Sequence, residues 1–220
     1  MVEPVASIDV DVVRERVADV QRRIDASLER AGRQSGSVEL VAAVKYVPVD
    51  LVGLLAEAGI RILGENRAQD LSEKQERWGG SFEWDFIGDL QSRKVASLIG
   101  RTRLIHSVGS RSALAKLDRP EAADQRILLQ VNVSGEESKS GISESELPEF
   151  LELAPCPVVG LMTMPPWSSE PEESRKYFAQ LRSLAERHGL AELSMGTSQD
   201  YEVAVEEGAT IVRIGSVLYG

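Results

Sequence analysis

The chain has 220 residues, of which 42% are hydrophobic and 27% charged, a composition typical of a folded globular domain. Its formal net charge of −10 argues against general binding to nucleic acids or anionic membranes. A single cysteine cannot form an internal disulfide, and no segment reads as a signal peptide or reaches the roughly 18 apolar residues of a membrane span. We therefore expect a cytoplasmic protein with no membrane or nucleic-acid partner.

The first predicted elements are a helix and a buried strand. Apolar residues at helical spacing predict an amphipathic helix over residues 8–31. Residues 38–46 then read VELVAAVKY, a run of small and β-branched side chains that ends with Lys45 next to Tyr46. This composition is typical of a strand buried on both faces in a parallel sheet.

Lys45 is a candidate amine nucleophile. The pKa of a lysine falls when its ammonium is desolvated, and a neutral amine can form a Schiff base with an aldehyde. The structural alternative is a lysine that ends the strand and extends its ammonium into solvent.

Seven further strands are predicted in alternation with helices. They cover residues 60–63, 83–87, 103–108, 127–133, 157–162, 192–194 and 210–214. The intervening helices include one over residues 90–99, and Ser143 with Glu146 predicts a capping box. Strict alternation indicates a parallel sheet, and eight units predict one (β/α)8 TIM barrel domain over residues 1–220, with an extra N-terminal helix. An open doubly wound sheet is the alternative.

The carboxyl ends of barrel strands share one face, and functional residues gather there. Lys45, Asn66, His106 and Ser194 fall on this face in the predicted barrel. If Val212 and Ile214 face the helices, Arg213 points into the barrel mouth.

Two glycine-containing turns follow the last two predicted strands: Ser194-Met195-Gly196-Thr197-Ser198 and Gly215-Ser216. Glycine permits close approach to the backbone, hydroxyls donate, and these barrel positions often bind phosphate. Together with Lys45 and Arg213 they fit pyridoxal 5′-phosphate, with its phosphate in the turns, its aldehyde on Lys45 and its pyridine nitrogen facing Arg213.

With these residues identified, the chain resembles the pyridoxal phosphate homeostasis proteins, which look like the barrel domain of alanine racemase standing alone. The resemblance spans residues 38–220 and rests on these segments: Val44-Lys45, Gly64-Glu65-Asn66, Phe86-Ile87-Gly88, Ile105-His106-Ser107-Val108, Lys139-Ser140-Gly141, Leu193-Ser194-Met195-Gly196 and Val212-Arg213-Ile214-Gly215. It implies an aldimine between the cofactor and Lys45, and phosphate contacts from residues 194–198 and from Gly215 and Ser216. We also expect Asn66 to contribute to this site.

The same resemblance implies a role as carrier or regulator of the intracellular cofactor pool, without established catalysis. Expected partners are pyridoxal phosphate and apoenzymes that depend on it, and we expect a monomer without a metal site. Asp85 departs from the family's usual histidine, Arg93 from a common asparagine, and Thr197 from a frequent methionine. Because the sequence stops at Gly220, the last helix is expected to be short or absent.

Two alternative functions remain open. A racemase needs a base on each face of the substrate carbon, and in the racemases that this chain resembles the second base is a tyrosine from a further domain. Tyr46 is expected on the opposite face of the strand from Lys45, which argues against that role. A colourless phosphosugar isomerase-type barrel would instead use Glu65 or His106 as its base.

Overall fold

The computed structural model describes residues 4–136 and 139–219. The ends of the predicted domain, residues 1–3 and 220, and residues 137 and 138 of the loop before Lys139 lie outside this description. Eight parallel strands close into a barrel in sequence order, with the last strand paired to the first. They are β1 (Glu39–Ala43), β2 (Ile62–Glu65), β3 (Glu83–Phe86), β4 (Leu104–Val108), β5 (Ile127–Gln130), β6 (Val158–Met162), β7 (Glu192–Thr197) and β8 (Ile211–Ile214). The predicted barrel is therefore confirmed.

Helices surround the barrel, and the first of them precedes β1 as predicted. They are α1 (Val10–Arg30), α2 (Gly53–Glu57), α3 (Ala68–Trp78), α4 (Arg111–Lys116), α5 (Leu147–Leu153), α6 (Arg175–Arg187), α7 (Tyr201–Glu206) and α8 (Ser216–Tyr219). The Asp9 carboxylate caps α1 by accepting from the amides of Asp11 and Val12. α1 packs against α7 and α8, so it covers the outer position after β8. No helix in these described ranges is both long and apolar enough to cross a membrane.

Several predicted elements have other bounds in the structure. The strand predicted over residues 127–133 ends at Gln130, and the strand predicted over residues 192–194 continues to Thr197. The first strand ends at Ala43 rather than continuing to Tyr46, because the chain turns and the Val47 amide donates to the Val44 carbonyl at 3.0 Å. The predicted helix over residues 90–99 is a 3₁₀ helix over Ser92–Ser97. Its tighter hydrogen bonds include the flanking contact from Leu98 N to Val95 O at 3.0 Å. The capping box of Ser143 and Glu146 is confirmed.

The barrel interior is apolar in one part and polar in the other. A small buried cluster fills it with Val41, Leu104, Leu128, Met162 and Ile211, while the larger apolar core lies between the strands and the helices. Asp85, His106, Ser194 and Arg213 are also buried, with exposed fractions between 0% and 5%. Barrel interiors are usually filled by branched apolar side chains, so this buried polar group is a candidate functional feature of the fold.

Candidate functional site

Lys45 lies two residues beyond β1, on an exposed turn. Its ammonium nitrogen is 4.7 Å from the centroid of the Tyr46 ring, within the range of a cation–π contact. Of the two alternatives left open by the sequence, the structure shows the solvent-exposed lysine. An exposed contact of this kind is worth about 0.5–1 kcal/mol, so the side chain can leave the ring at small cost.

The expected separation of Lys45 and Tyr46 is wrong. Side chains alternate between faces only while the backbone is extended, and the strand has already ended at Ala43. In the turn, the two side chains come together instead of lying on opposite faces. The argument from alternation against a racemase is therefore removed, although a base beside Lys45 does not supply the opposing base that two-base racemisation needs.

Arg213 points into the barrel, as predicted, while Val212 and Ile214 pack in the outer core. Its guanidinium donates to the Ser194 hydroxyl, to Thr163 O at 3.0 Å and to Met164 Sδ at 2.9 Å. These three partners are uncharged. Burial lowers the pKa of Arg213 to about 10, partly opposed by the charge of Asp200. The group remains a cation at neutral pH.

An interior polar chain, defined here as Arg103, Asp85, His106, Ser194 and Arg213, crosses the barrel. Arg103 donates to both Asp85 oxygens, at 2.9 and 2.6 Å. His106 contacts Asp85 Oδ2 through Nε2 at 3.1 Å and Ser194 Oγ through Nδ1 at 2.8 Å. A neutral imidazole satisfies these contacts if Nε2–H donates to the carboxylate and Nδ1 accepts from the Ser194 hydroxyl, which in turn accepts from Arg213. Because burial also lowers the pKa of His106, we assign it as a neutral imidazole.

The electrostatics of the interior polar chain agree with this assignment. Burial lowers the pKa of His106, and Asp85 only partly opposes the effect. Burial alone would raise the pKa of Asp85, but hydrogen bonds from Arg103 and His106 hold it below its ordinary value. At neutral pH the carboxylate is therefore ionised and the imidazole is uncharged.

A neutral buried His106 predicts a loss of stability in acid. The unfolded histidine, with an ordinary pKa of 6.5, binds a proton below that pH while the native imidazole does not, so stability falls as pH falls. Between about pH 8 and about pH 5 the unfolding free energy should therefore fall, by at most about 2 kcal/mol, the limit set by the ordinary pKa of the unfolded histidine.

Urea denaturation at the two pH values checks this effect. The pH-dependent loss of unfolding free energy should be smaller in His106→Gln than in wild type. Equal pH dependence in wild type and His106→Gln would contradict the neutral assignment.

The bases suggested for an isomerase are both engaged. His106 lies in the barrel interior with both ring nitrogens occupied, rather than at the mouth. Glu65 is 0% exposed and forms an ion pair with Lys74, whose Nζ lies 2.6 Å away. The structure therefore gives no support to an isomerase that uses either group.

The first predicted phosphate turn has two parts with different environments. The Ser194 hydroxyl is used by the interior polar chain, and the Met195 side chain packs in the outer core. These two residues can therefore offer a ligand only backbone groups. Gly196 has a φ of +90°, and a Cβ there would lie 2.6 Å from the Ala204 Cβ. Only glycine avoids both the strain and the clash.

The second part of this turn joins the turn after β8. Thr197 donates to Asp200 Oδ1 through its amide at 2.8 Å and its hydroxyl at 3.1 Å. The Ser198 hydroxyl accepts from the Gly215 amide at 3.0 Å. The structure thus brings the two predicted turns together, as a shared anion site requires.

The other predicted site residues lie near the carboxyl end of β1. The Val44 amide donates to Gly64 O at 3.0 Å, which places the turn of Lys45 beside the segment leading to Asn66. Gly215 faces Ala43, where an added Cβ would lie 3.4 Å from the Ala43 Cβ. Ser216 is exposed and begins α8, whose first amides have no acceptor within the helix.

These residues fit an anionic aldehyde cofactor. Within residues 4–136 and 139–219, Asn66 Oδ1 is buried without a hydrogen-bond partner, so one acceptor awaits a ligand or water. Arg213 supplies a cation, the joined turns supply donors, and Lys45 supplies an exposed amine. The side-chain contact of Lys45 is with Tyr46, so its ammonium must rotate to reach the other groups.

The remaining predicted residues lie elsewhere. Arg93 is exposed and donates to Gln91 Oε1 at 3.0 Å, whereas Asp85, another of the three departures from the family pattern, is part of the interior polar chain. Cys156 is buried, and this burial raises its pKa to about 11, which disfavours a thiolate. Among the described residues, no group of three or more His, Cys, Asp or Glu side chains could hold a metal ion.

Comparison with known proteins gives concordant matches. Residues 15–220 match the family model for the N-terminal domain of alanine racemase. A pyridoxal phosphate homeostasis protein from Aquifex aeolicus (strain VF5) is 41% identical over 220 residues, covering 94% of this chain and 96% of that protein. PipY from Synechococcus elongatus PCC7942, solved with PLP bound, has a TM-score of 0.79 at 31% identity, covering 94% of this chain and 100% of that one. An unknown protein from Bifidobacterium adolescentis has a TM-score of 0.87 at 29% identity, covering 99% and 100% of the two chains.

Proposed function

This chain belongs to the pyridoxal phosphate homeostasis proteins, within the family of the alanine racemase N-terminal domain, and we propose that it reversibly holds pyridoxal 5′-phosphate. The observation that carries the proposal is the buried Arg213, whose partners are all neutral, together with the two joined turns beside the Lys45 segment. This arrangement offers a cation, anion-binding donors and an amine at one end of the barrel. The proposed role is to store the cofactor and release it to apoenzymes.

Lys45 is the proposed attachment point. Pyridoxal phosphate supplies an aldehyde, which forms a Schiff base with a lysine amine and releases one water molecule. The Lys45 amine would provide the electron pair for the new carbon–nitrogen bond, and the carbonyl oxygen would leave as the water. Exposure of Lys45 on its turn lets a second amine reach the same position, which allows release by exchange.

Arg213 is proposed to face the pyridine nitrogen. A guanidinium has donors and no acceptor, so it disfavours a protonated ring nitrogen. An unprotonated ring is a weaker electron sink, which limits carbanion chemistry on bound amino acids. The interior polar chain holds Arg213 in this orientation through Ser194. This supports a non-catalytic carrier over a racemase.

The phosphate is proposed to bind where residues 196–198 meet Gly215 and Ser216. Gly196 packs closely against α7, where a Cβ would lie 2.6 Å from the Ala204 Cβ, and the hydroxyls of Ser198 and Ser216 can donate to the phosphate. Asn66 is proposed to complete the site through its side-chain amide, whose nitrogen can donate to an anion after rotation of the amide group.

The absorption spectrum with added pyridoxal phosphate tests this function. Wild-type protein should develop the visible Schiff-base band, and borohydride should abolish it, whereas Lys45→Ala should show no band. Lys176→Ala is a matched control, because Lys176 also precedes a tyrosine and places Nζ 4.9 Å from the Tyr177 ring, yet lies on α6. It should behave as wild type. A band that survives Lys45→Ala would overturn the assignment.

Racemisation of D-alanine by the loaded protein tests the non-catalytic part of the proposal. We expect no turnover above that of Lys45→Ala, because Arg213 disfavours the electron sink that racemisation needs. Conversion that depends on Lys45 would identify a racemase instead.

A further inference from the structure

Glu65 and Lys74 form a buried ion pair beside the proposed site. Lys74 Nζ lies 2.6 Å from Glu65 Oε2, and the two side chains are 6% and 0% exposed. Lys74 belongs to α3, which surrounds the barrel, and Glu65 ends β2. Because transferring two charges from water to the protein interior costs free energy, a buried ion pair contributes little net stability. Stability alone therefore does not explain the burial of this pair.

The ion pair also forms hydrogen bonds with the backbone of Val44, next to Lys45, and of Asn66. Lys74 Nζ also donates to the Val44 carbonyl at 2.7 Å, immediately before Lys45. The second oxygen of Glu65 accepts from the Asn66 amide at 2.7 Å. A single ion pair therefore connects helix α3 to the two residues that follow β1 and β2 at the mouth.

The Val44 carbonyl is the fixed point of the turn that carries Lys45. It accepts from the Val47 amide at 3.0 Å as well as from Lys74, while the Val44 amide is bound to Gly64 O. The turn is also held at its far side, where the Val5 amide donates to Tyr46 O at 2.8 Å. Lys45 is thus an exposed side chain on a backbone that is hydrogen-bonded at several points.

We infer that Glu65 and Lys74 are positioning residues, which orient the turn of Lys45 so that its amine can reach an aldehyde bound in the barrel mouth. The inference deepens the proposed function and rests on it. Misplacement of a reacting group by about 1 Å can lower a reaction rate about a hundredfold. A buried ion pair that fixes this turn can therefore affect the rate of reaction at Lys45 even where it adds little to the stability of the protein.

The test compares rates of pyridoxal phosphate addition at Lys45 in folded variants. Lys74→Met should lower the second-order rate constant by about tenfold to a hundredfold. Because this change leaves Glu65 buried without its partner, Glu65→Gln/Lys74→Met is the second variant, with both charges removed. Borohydride reduction followed by peptide mass mapping confirms that the adduct is on Lys45, and thermal melts confirm that each variant is folded.

Arg77→Gln is the matched control. Arg77 lies one turn beyond Lys74 on α3 and pairs with Asp50, on the same connection after β1, but the two side chains are 52% and 71% exposed. It bridges similar segments without touching Val44, so its loss should leave the rate constant unchanged.

Hydrogen exchange of the cofactor-free protein provides a readout that does not depend on binding. The peptide covering residues 44–48 should exchange faster in both Lys74 variants and at the wild-type rate in Arg77→Gln. A folded Glu65→Gln/Lys74→Met protein with wild-type addition and exchange rates would overturn the inference. Absence of any adduct on Lys45 in wild type would instead overturn the proposed function, and the exchange rates would still decide whether the pair holds the turn.

Discussion

Asp85→Ala should lower the unfolding free energy by about 3–5 kcal/mol, because it removes one partner from a buried ion pair. Asp85 is 0% exposed and accepts from Arg103 at two oxygens and from His106 at 3.1 Å. Alanine would leave these donors without an acceptor inside the barrel. Chemical denaturation measures the effect as a shift of the midpoint.

Glu39→Gln is the control for this prediction. Glu39 also accepts from Arg103, at 2.6 Å, but its side chain is 47% exposed. Exposed pairs contribute about 0–1 kcal/mol, so this variant should remain close to wild type. Similar losses of unfolding free energy in Asp85→Ala and Glu39→Gln would show that the burial of Asp85 does not determine the size of the effect.

Asp85→Ala should also alter the proposed cofactor site. Without Asp85, Nε2 of His106 loses its acceptor, and the ring is free to change tautomer or rotate. The Ser194 hydroxyl and Arg213 follow in the interior polar chain. We therefore expect weaker pyridoxal phosphate binding by the folded fraction of Asp85→Ala than by Glu39→Gln, measured by titration of the absorption band.

Gly88→Ala should destabilise the protein by about 1–3 kcal/mol, because a side chain at this position overlaps the neighbouring backbone. A Cβ on Gly88 would lie 2.0 Å from Asn66 O and 2.6 Å from Asn66 C. Backbone cannot rotate away as a flexible side chain can, so either β3 or the segment after β2 must move. Chemical denaturation gives the loss of stability, and cofactor titration tests whether displacement of Asn66 weakens binding.

Gly80→Ala is the matched control. An added Cβ at Gly80 would meet no atom within 4 Å, and its φ is not positive. Its effect should stay within about 0.5 kcal/mol, as for other surface substitutions. Equal stability of Gly88→Ala and Gly80→Ala would contradict the close contact between Gly88 and the Asn66 backbone.

Local patterns in the sequence were sufficient for the architecture. Strands and helices leave periodic signatures along the chain, and eight alternating units have few ways to bury their apolar faces. The same alternation correctly predicted that Arg213 points inward, because the prediction concerned one extended strand. It failed at Tyr46, where the backbone leaves the extended conformation after Ala43.

The sequence by itself therefore determined the barrel, the end of it that carries the proposed site, and the set of residue types gathered there. Tertiary structure alone decided which polar groups pair. His106 and Ser194 are 88 residues apart, and Lys74 and Val44 are 30 apart. Such contacts depend on barrel closure, strand register and helix packing, and periodicity along the chain carries no record of them.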